Sequence, residues 1–159
     1  MTVTRRGGAG PATELAEQDL LGEFEGKPVA HLQAVALAMP TLDPRGSITL
    51  VSAGSAQSAL PGTAGLAAVN GAIEAAVPPL ARELAPRRIN AVSPGVIENE
   101  WWSEVPEEER GALFADFAEQ TPVGRNGNSE DVAQAIGALI ENDYISGVVL
   151  PCDGGLRLT

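Results

Sequence analysis

The hydrophobic positions of this chain fall into three short β-rich runs separated by longer segments with helical periodicity. The runs are SITLVSA at 47–53, RINAVS at 88–93 and GVVLP at 147–151. Short apolar runs that alternate with helices are typical of parallel strands joined by crossover helices. The pattern therefore predicts an α/β fold with about three parallel strands and flanking helices.

Two helices are predicted before the first run. The first covers 13–27 with Thr13 as its N-cap, and the second starts at Pro28, a residue suited to a first helical turn. The second helix, 28–42, is apolar nearly all round, which predicts that it is buried.

Three further helices are predicted after the first run. A long apolar segment at 63–85 contains Pro78 and Pro79, so we expect a kink or two separate helices there. Another helix begins with Pro106 at its first position. The last begins at Ser129, which we expect to be its N-cap.

Length and charge limit the classes of function. The 159 residues are enough for one domain, which we place at 12–159 after a flexible tail at 1–11. The net charge of −11 argues against binding to nucleic acid or to an anionic membrane surface. The most apolar window, 62–81, is interrupted by polar residues and prolines, so we expect no membrane helix. A single cysteine, Cys152, excludes an internal disulfide and suits a cytoplasmic location.

Four segments carry a resemblance to a known family. They are GSITLVSAG, LARELAPRRINAVSPGVIEN, PVGRNGNSEDVAQAIGALI and ISGVVLPCDGG, which occur in this order. Together they resemble the C-terminal part of the short-chain dehydrogenase/reductase (SDR) family, from about residue 8 to the end. The resemblance implies a Rossmann-like, doubly wound fold, an oxidoreductase activity and NAD or NADP as cofactor. It also implies a homodimer or tetramer formed through the helices at 28–40 and 63–85.

The N-terminal half of that family has no counterpart in this sequence. The family begins with a strand, a glycine-rich turn and a helix that hold the dinucleotide pyrophosphate. GGAG at 7–10 has the wrong glycine spacing, and resembles instead the NNAG that ends the family's fourth strand. We therefore expect a truncated fold without the nucleotide-binding half. The alternative that a partner chain supplies this half stays open.

The resemblance also locates the family's catalytic Ser, Tyr, Lys and Asn positions. Counting back from ELAP puts Leu66 at the Tyr position and Asn70 at the Lys position. The Ser position falls on Ala53, with Ser52 directly before it, and the Asn position falls near Lys27.

These replacements weaken the case for the family's chemistry. Leu66 cannot transfer a proton, and Asn70 can bond a ribose but carries no charge. Ser52 is the remaining catalytic candidate, with Lys27 as a possible substitute. The chain's one tyrosine, Tyr144, lies far downstream.

The segment after the second strand supplies the remaining candidates. By resemblance, the cofactor-binding residues are Asn70, Pro94, Gly95, Ile97 and Asn99, with the Ile97 backbone meeting the nicotinamide carboxamide. Trp101 and Trp102 occupy the family's substrate lid. They either cover an apolar ligand, or one packs on the core and the other on a partner chain.

The single histidine and the single cysteine argue against the other common kinds of site. His31 lies on the apolar helix after Pro28, which favours a buried, hydrogen-bonded histidine over a catalytic one. One histidine and one cysteine are too few for a typical zinc site, so no metal is expected.

Three hypotheses for function follow. The chain is an SDR-type oxidoreductase that another polypeptide must complete, because its own residues do not transfer hydride. Alternatively, it is a non-catalytic relative that binds a partner or a small ligand. The third possibility is a fragment without a role of its own.

Overall fold

The computed structural model describes residues 8–159 and contains a parallel sheet of three strands. The strands are β1 (Ser47–Val51), β2 (Arg88–Pro94) and β3 (Val149–Cys152). β2 is central, and its residues pair in parallel with both neighbours, for example Leu50 with Ala91 and Ala91 with Val149. The predicted α/β class and the parallel three-stranded sheet are confirmed.

The described part of the chain contains five α-helices. They are α1 (Glu17–Phe24), α2 (Ala30–Ala38), α3 (Ala64–Glu83), α4 (Glu107–Gln120) and α5 (Ser129–Glu141).

The core forms where α2 and α3 pack on one face of the sheet. Its buried members are Val35, Leu50, Ile73, Val77 and Ala91. Successive side chains of a strand point to opposite faces, so the face away from Ala91 is left for another layer. α5 contacts all three strands and supplies the buried Leu139 to that layer. The result is a sheet covered by helices on both faces, as parallel sheets require.

The sequence predicted that one helix ends at residue 27 and another begins at Pro28, but the structure shows no break there. α1 and α2 are joined without interruption by a π-helical turn, Glu25–Val29, which contains Pro28. Proline has no N–H to donate, so the regular hydrogen-bond ladder fails at this point, and the wider turn accommodates the loss. The predicted burial of the second helix is also wrong, because Val35 is the one buried residue of α2, while Leu37 is 79% exposed.

α3 is one uninterrupted helix, so the expected division at Pro78 and Pro79 did not occur. Burial of its inner face stabilises the helix and offsets the hydrogen bonds that the two prolines remove. The buried residues are Gly65, Val69, Asn70, Ile73 and Val77. By length and composition alone this helix could cross a membrane, a test that core helices of soluble proteins also pass.

The N-termini of α4 and α5 each lie one residue away from the prediction. Pro106 is the N-cap of α4 and precedes its first helical residue, Glu107. Asn128, and not Ser129, is the N-cap of α5. The Asn128 side chain accepts from the Asp131 backbone N–H, and the Asp131 carboxylate accepts from the Asn128 N–H. This reciprocal capping box satisfies two helix-end donors, which a serine at the next position cannot do.

Two buried polar side chains of β2 anchor the end of α5 and the loop after it. The Arg88 guanidinium donates to the carbonyls of Leu139 and Ile140, which are unpaired because the helix ends there. Asn90 donates to the Ile145 carbonyl and accepts from the Val148 backbone N–H. These bonds fix the position from which β3 enters the sheet.

The first described residues contact the start of α3. Gly8 is buried, and the Gly10 N–H donates to the Gly62 carbonyl at 2.8 Å. The remainder of the predicted tail, residues 1–7, lies outside the described residues.

Candidate functional site

The carboxyl ends of the three strands meet at one edge of the sheet and open into a cavity of about 750 Å³. Ser52 follows β1, Gly95 follows β2 and Asp153 follows β3, and all three line this cavity. Open parallel sheets bind ligands at this edge, because the connecting loops diverge there. A Cβ on Gly95 would lie 2.8 Å from the Asp153 Cα, so only glycine permits the close approach of the two loops.

Two helices complete the wall of the cavity. The π-helical turn contributes Lys27, and the first two turns of α3 contribute Leu66 and Asn70. The residues at the four predicted family positions therefore line a single cavity: Lys27, Ala53, Leu66 and Asn70.

Lys27 and Asn70 are directly hydrogen-bonded across the cavity wall. The Lys27 ammonium donates to Asn70 Oδ1 and, at 3.2 Å, to the Ser52 backbone carbonyl. Asn70 Nδ2 donates to the Leu66 carbonyl at 2.9 Å and to Ser55 Oγ at 3.1 Å. A carbonyl can only accept, so the Leu66 bond fixes the orientation of the amide and turns Oδ1 towards the lysine.

Burial lowers the pKa of Lys27 from 10.5 to about 8. Desolvation disfavours the charged ammonium, while the carboxylates of Glu23 and Glu74 act in the opposite direction. A lysine in this state is positively charged at neutral pH, but its neutral form is accessible.

A carboxylate on α3 organises the polar groups at the ends of β1 and β2. Glu74 Oε1 accepts from Ser52 Oγ at 2.7 Å and from Ser93 Oγ at 2.8 Å, and Oε2 accepts from Gln57 Nε2 at 2.8 Å. Bonds to an ionised acceptor are stronger than neutral ones. Glu74 therefore connects α3 to both strands at the base of the cavity.

These contacts count against a direct catalytic role for Ser52. Ser52 is only 2% exposed, and its hydroxyl group donates its hydrogen bond to Glu74. A serine that acts as proton donor must direct its hydroxyl at the ligand. Ser52 still contacts the site through its backbone carbonyl, which accepts from Lys27.

Both tryptophans line the cavity and are partly buried. Their rings meet edge to face with centroids 4.6 Å apart, and Trp102 also packs on Phe114 with centroids 5.6 Å apart. The Trp102 Nε1–H donates to the Ile97 carbonyl at 3.0 Å. The indole of Trp102 is thus held from two sides, and the pair forms an aromatic wall.

The loop at 93–99 is positioned by an isolated parallel bridge between Ile97 and Gly127. Val96 and Glu98 make the two bonds of this bridge, which leaves the Ile97 N–H outside it. Asn99 uses its side chain to accept from the Trp101 N–H. Pro94, Gly95, Ile97 and Asn99 all line the cavity.

The described residues match a nicotinamide cofactor only in part. The Ile97 N–H lies outside the bridge, but the Asn70 amide donates both of its N–H groups to Ser55 and Leu66 and has none left for a ribose. Within 8–159 no glycine-rich turn connects a strand to a helix at this edge.

His31 lines the cavity and is only partly buried, which corrects the expectation of a buried histidine. Its Nδ1–H donates to the Lys27 carbonyl at 2.8 Å, so the expected hydrogen bond is present. Residues 8–159 contain no group of three or more His, Cys, Asp or Glu side chains that could hold a metal ion.

Comparison with known proteins identifies the family. The family model described as "Enoyl-(Acyl carrier protein) reductase" matches residues 4–157. The chain is 35% identical over 117 residues to the 3-oxoacyl-[acyl-carrier-protein] reductase FabG of Pseudomonas aeruginosa, covering 69% of this chain and 45% of that enzyme. It is 32% identical over 146 residues to the 3-oxoacyl-[acyl-carrier-protein] reductase of Rattus norvegicus, covering 89% and 58%.

A solved structure agrees with these matches. A small-chain dehydrogenase in complex with NADPH is 34% identical, superposes with a TM-score of 0.92, and is matched over 95% of this chain and 69% of that one. The fold and the position of the site define a doubly wound α/β protein of the dehydrogenase type. The chain belongs to the short-chain dehydrogenase/reductase family. It spans about half the length of the curated relatives it matches.

Sequence reasoning missed Glu74 and the direct contact between Lys27 and Asn70. The signal for Glu74 was present, because Leu66, Asn70 and Glu74 are spaced four residues apart on one helix face. No local pattern pairs Lys27 with Asn70, which lie 43 residues apart.

Proposed function

We propose that this chain is an SDR-family protein that binds a small ligand in the cavity and does not perform tyrosine-dependent hydride transfer with its own residues. The observation that carries the proposal is Leu66, a side chain without a proton to transfer, on the cavity wall. Tyr144 is 97% exposed and is not among the lining residues.

The lining favours an apolar molecule with one oxygen-bearing end. Leu66, Ile97, Trp101, Trp102 and Phe117 supply apolar surface. Lys27 supplies a cation with three N–H groups. Two of them donate to Ser52 and Asn70, and the third can donate to an oxygen of the ligand. A volume of about 750 Å³ lies within the range of small-molecule pockets.

Intrinsic fluorescence tests this proposal directly, because the chain has two tryptophans and both line the cavity. We expect 1-octanol, a non-absorbing probe, to change the tryptophan emission saturably. Leu66→Glu places a charge on the cavity wall and should weaken binding by about tenfold or more, which corresponds to about 1.4 kcal/mol. Ile140→Glu, at a 53% exposed residue outside the cavity, is the matched control. An unsaturable response, or equal effects of both variants, would refute binding in the cavity.

A competing function is an oxidoreductase that a nucleotide-binding partner completes, and the NADPH complex of a structural relative favours it. Calorimetric titration with NADH and NADPH separates the two. We expect no binding tighter than about 1 mM, or about −4 kcal/mol. Micromolar binding would overturn the non-catalytic proposal and direct attention to the reduction of carbonyl substrates.

We also propose that two copies of this chain associate through α2 and α3. The exposed leucines of α2 support this, with Leu32 at 44% and Leu37 at 79% exposure. Association would cover the apolar surface that the single chain leaves exposed. A cytoplasmic location, and the absence of nucleic-acid and membrane partners, stay as predictions from composition.

A further inference from the structure

Lys27 is the one lysine in the sequence, although nine arginines are present. It lies in the π-helical turn between α1 and α2 and lines the cavity described above. An arginine would keep its charge at any relevant pH, whereas a buried lysine can become neutral and nucleophilic. The chemistry available at Lys27 therefore differs from that of every other cationic side chain in the chain.

The hydrogen bonds of Lys27 suit a neutral amine. Nζ has two partners, the Ser52 carbonyl and Asn70 Oδ1, and both are acceptors in this arrangement. A neutral amine has two N–H groups, so it keeps both bonds when it loses a proton. Its lone pair then occupies the remaining tetrahedral position, and Lys27 lines the cavity in which a ligand would lie.

The titratable groups that face Lys27 lie on three elements. Glu23 on α1 and Glu74 on α3 favour the ammonium, and His31 on α2 donates to the Lys27 carbonyl. Desolvation outweighs the two carboxylates and lowers the pKa to about 8. About a tenth of the amine is then neutral at pH 7, against less than a thousandth for an ordinary lysine.

We propose that Lys27 is a nucleophile that captures an aldehyde bound in the cavity as a reversible imine. The inference rests on the proposed function, since it requires that the cavity holds a small ligand. It names the ligand class as an aldehyde with an apolar body, which the apolar side chains that line the cavity would contact.

The reaction is balanced without an oxidant or reductant. The lone pair of the neutral Lys27 amine attacks the carbonyl carbon, a C–N bond forms, and the carbonyl π electrons move to oxygen. The oxygen then takes one of the two protons on the nitrogen, which becomes neutral again. The resulting carbinolamine loses its hydroxyl and the remaining nitrogen proton as water. The product is a C=N bond between Lys27 and the ligand, and water addition reverses each step.

Reductive trapping tests the proposal on the whole purified chain. The chain is incubated with octanal and cyanoborohydride, which reduces the imine to a stable amine, and peptide mass spectrometry locates the adduct. The α-amino group is an internal reference, because the ordinary pKa of such a group is also near 8. We expect Lys27 to be labelled about tenfold or more faster than the α-amino group, because the cavity holds the aldehyde beside it.

Two variants and two conditions control the result. Lys27→Arg keeps the charge and Lys27→Met keeps the approximate length, and both should lose the internal adduct while the α-amino adduct stays. Urea-unfolded wild type should show no preference for Lys27. An excess of 1-octanol should slow labelling at Lys27 and leave the α-amino group unaffected.

The outcomes separate this inference from the proposed function. Saturable octanol binding with labelling of Lys27 no faster than the α-amino group would overturn imine formation and leave ligand binding intact. Rapid labelling that octanol does not slow would show a reactive lysine outside a shared ligand site, which also contradicts the inference. Absence of octanol binding together with slow labelling would refute both.

Discussion

At the scale of single residues, the site depends on a cation and an amide that face each other from two helices. The position predicted for the family's Lys is occupied by Asn70, and Lys27 lies near the position predicted for the family's Asn. The positive charge therefore comes from the π-helical turn and not from α3. The two side chains are directly hydrogen-bonded. The site therefore keeps a cation and an amide, but its titratable group is Lys27.

Lys27 predicts a specific pH dependence of stability. Its pKa is about 8 in the folded chain and about 10.5 when unfolded, so between these values the unfolded chain binds more protons here. The free energy of unfolding contributed by this residue should therefore rise from pH 8 to pH 10.5, by about 2 kcal/mol. The measurement is the wild-type minus Lys27→Met difference in urea unfolding across this window. A flat difference would show that Lys27 is not desolvated.

Substitution of Glu74 should lower the stability of the chain more than substitution of an exposed glutamate of the same helix. Glu74→Gln replaces one acceptor oxygen by a donor, so the bonds from Ser52, Ser93 and Gln57 cannot all survive. Hydrogen bonds to charged acceptors contribute about 1.5–3 kcal/mol, and we expect a loss of about 2 kcal/mol. Glu83→Gln, on the exposed end of α3, should change the unfolding free energy by less than about 0.5 kcal/mol. Equal effects would contradict the role assigned to Glu74.

At the scale of elements, helix ends and close approaches decide how α5 and α3 are placed. α5 begins at the capping box of Asn128 and Asp131, which fixes the direction in which the chain enters the helix. α3 passes close to the segment at Gly8, which only a glycine at position 65 allows.

The capping box predicts unequal effects of two neighbouring substitutions. Asn128→Ala removes the side-chain acceptor for the Asp131 N–H and should lower the unfolding free energy by about 1 kcal/mol. Ser129→Ala alters the first helical residue and should be close to neutral. Urea titration of both variants checks this, and a larger loss for Ser129→Ala would restore the sequence-based choice of cap.

Two glycines of α3 predict effects of opposite sign. A Cβ at Gly71 meets nothing within 4 Å, so Gly71→Ala should stabilise the chain by up to about 1 kcal/mol through helix propensity. A Cβ at Gly65 would lie 2.6 Å from the Gly8 carbonyl oxygen, so Gly65→Ala should destabilise it by about 1 kcal/mol or more. Thermal unfolding compares the pair. Stabilisation by both would mean that the segment at Gly8 does not pack on α3.

At the scale of the whole molecule, the chain leaves apolar helix surface exposed. Leu37 on α2 is the most exposed of the large aliphatic residues in the described part of the chain. The apolar composition of α2 is therefore not explained by the core of one chain, since Val35 is the one residue of this helix that is buried.

Association of two copies predicts that a charge on α2 lowers the oligomeric state. Light scattering should give the wild type a mass of two or more chains and Leu37→Glu the mass of one chain. The reason is that the association would bury an unpaired carboxylate, which is costly. Val123→Glu, at a 62% exposed residue on another surface, should leave the mass unchanged. A wild-type monomer at micromolar concentration would refute the proposed association.

Local patterns were sufficient for the sheet and most helices. β-rich runs and helical periodicity arise from neighbouring residues, so they predicted three parallel strands correctly, with ends shifted by up to two residues. They failed where distant contacts override local preference: α3 continues through Pro78 and Pro79 because its inner face is buried on the sheet.

The sequence by itself determined the α/β class, the family resemblance and the four positions that line the cavity, because these depend on residue order and spacing. Only the tertiary structure decided what those positions do. Ser52 and Glu74 are 22 residues apart, and Lys27 and Asn70 are 43 apart. Their contacts arise because parallel strands bring their carboxyl ends to one edge, and burial at that edge lowers the pKa of Lys27.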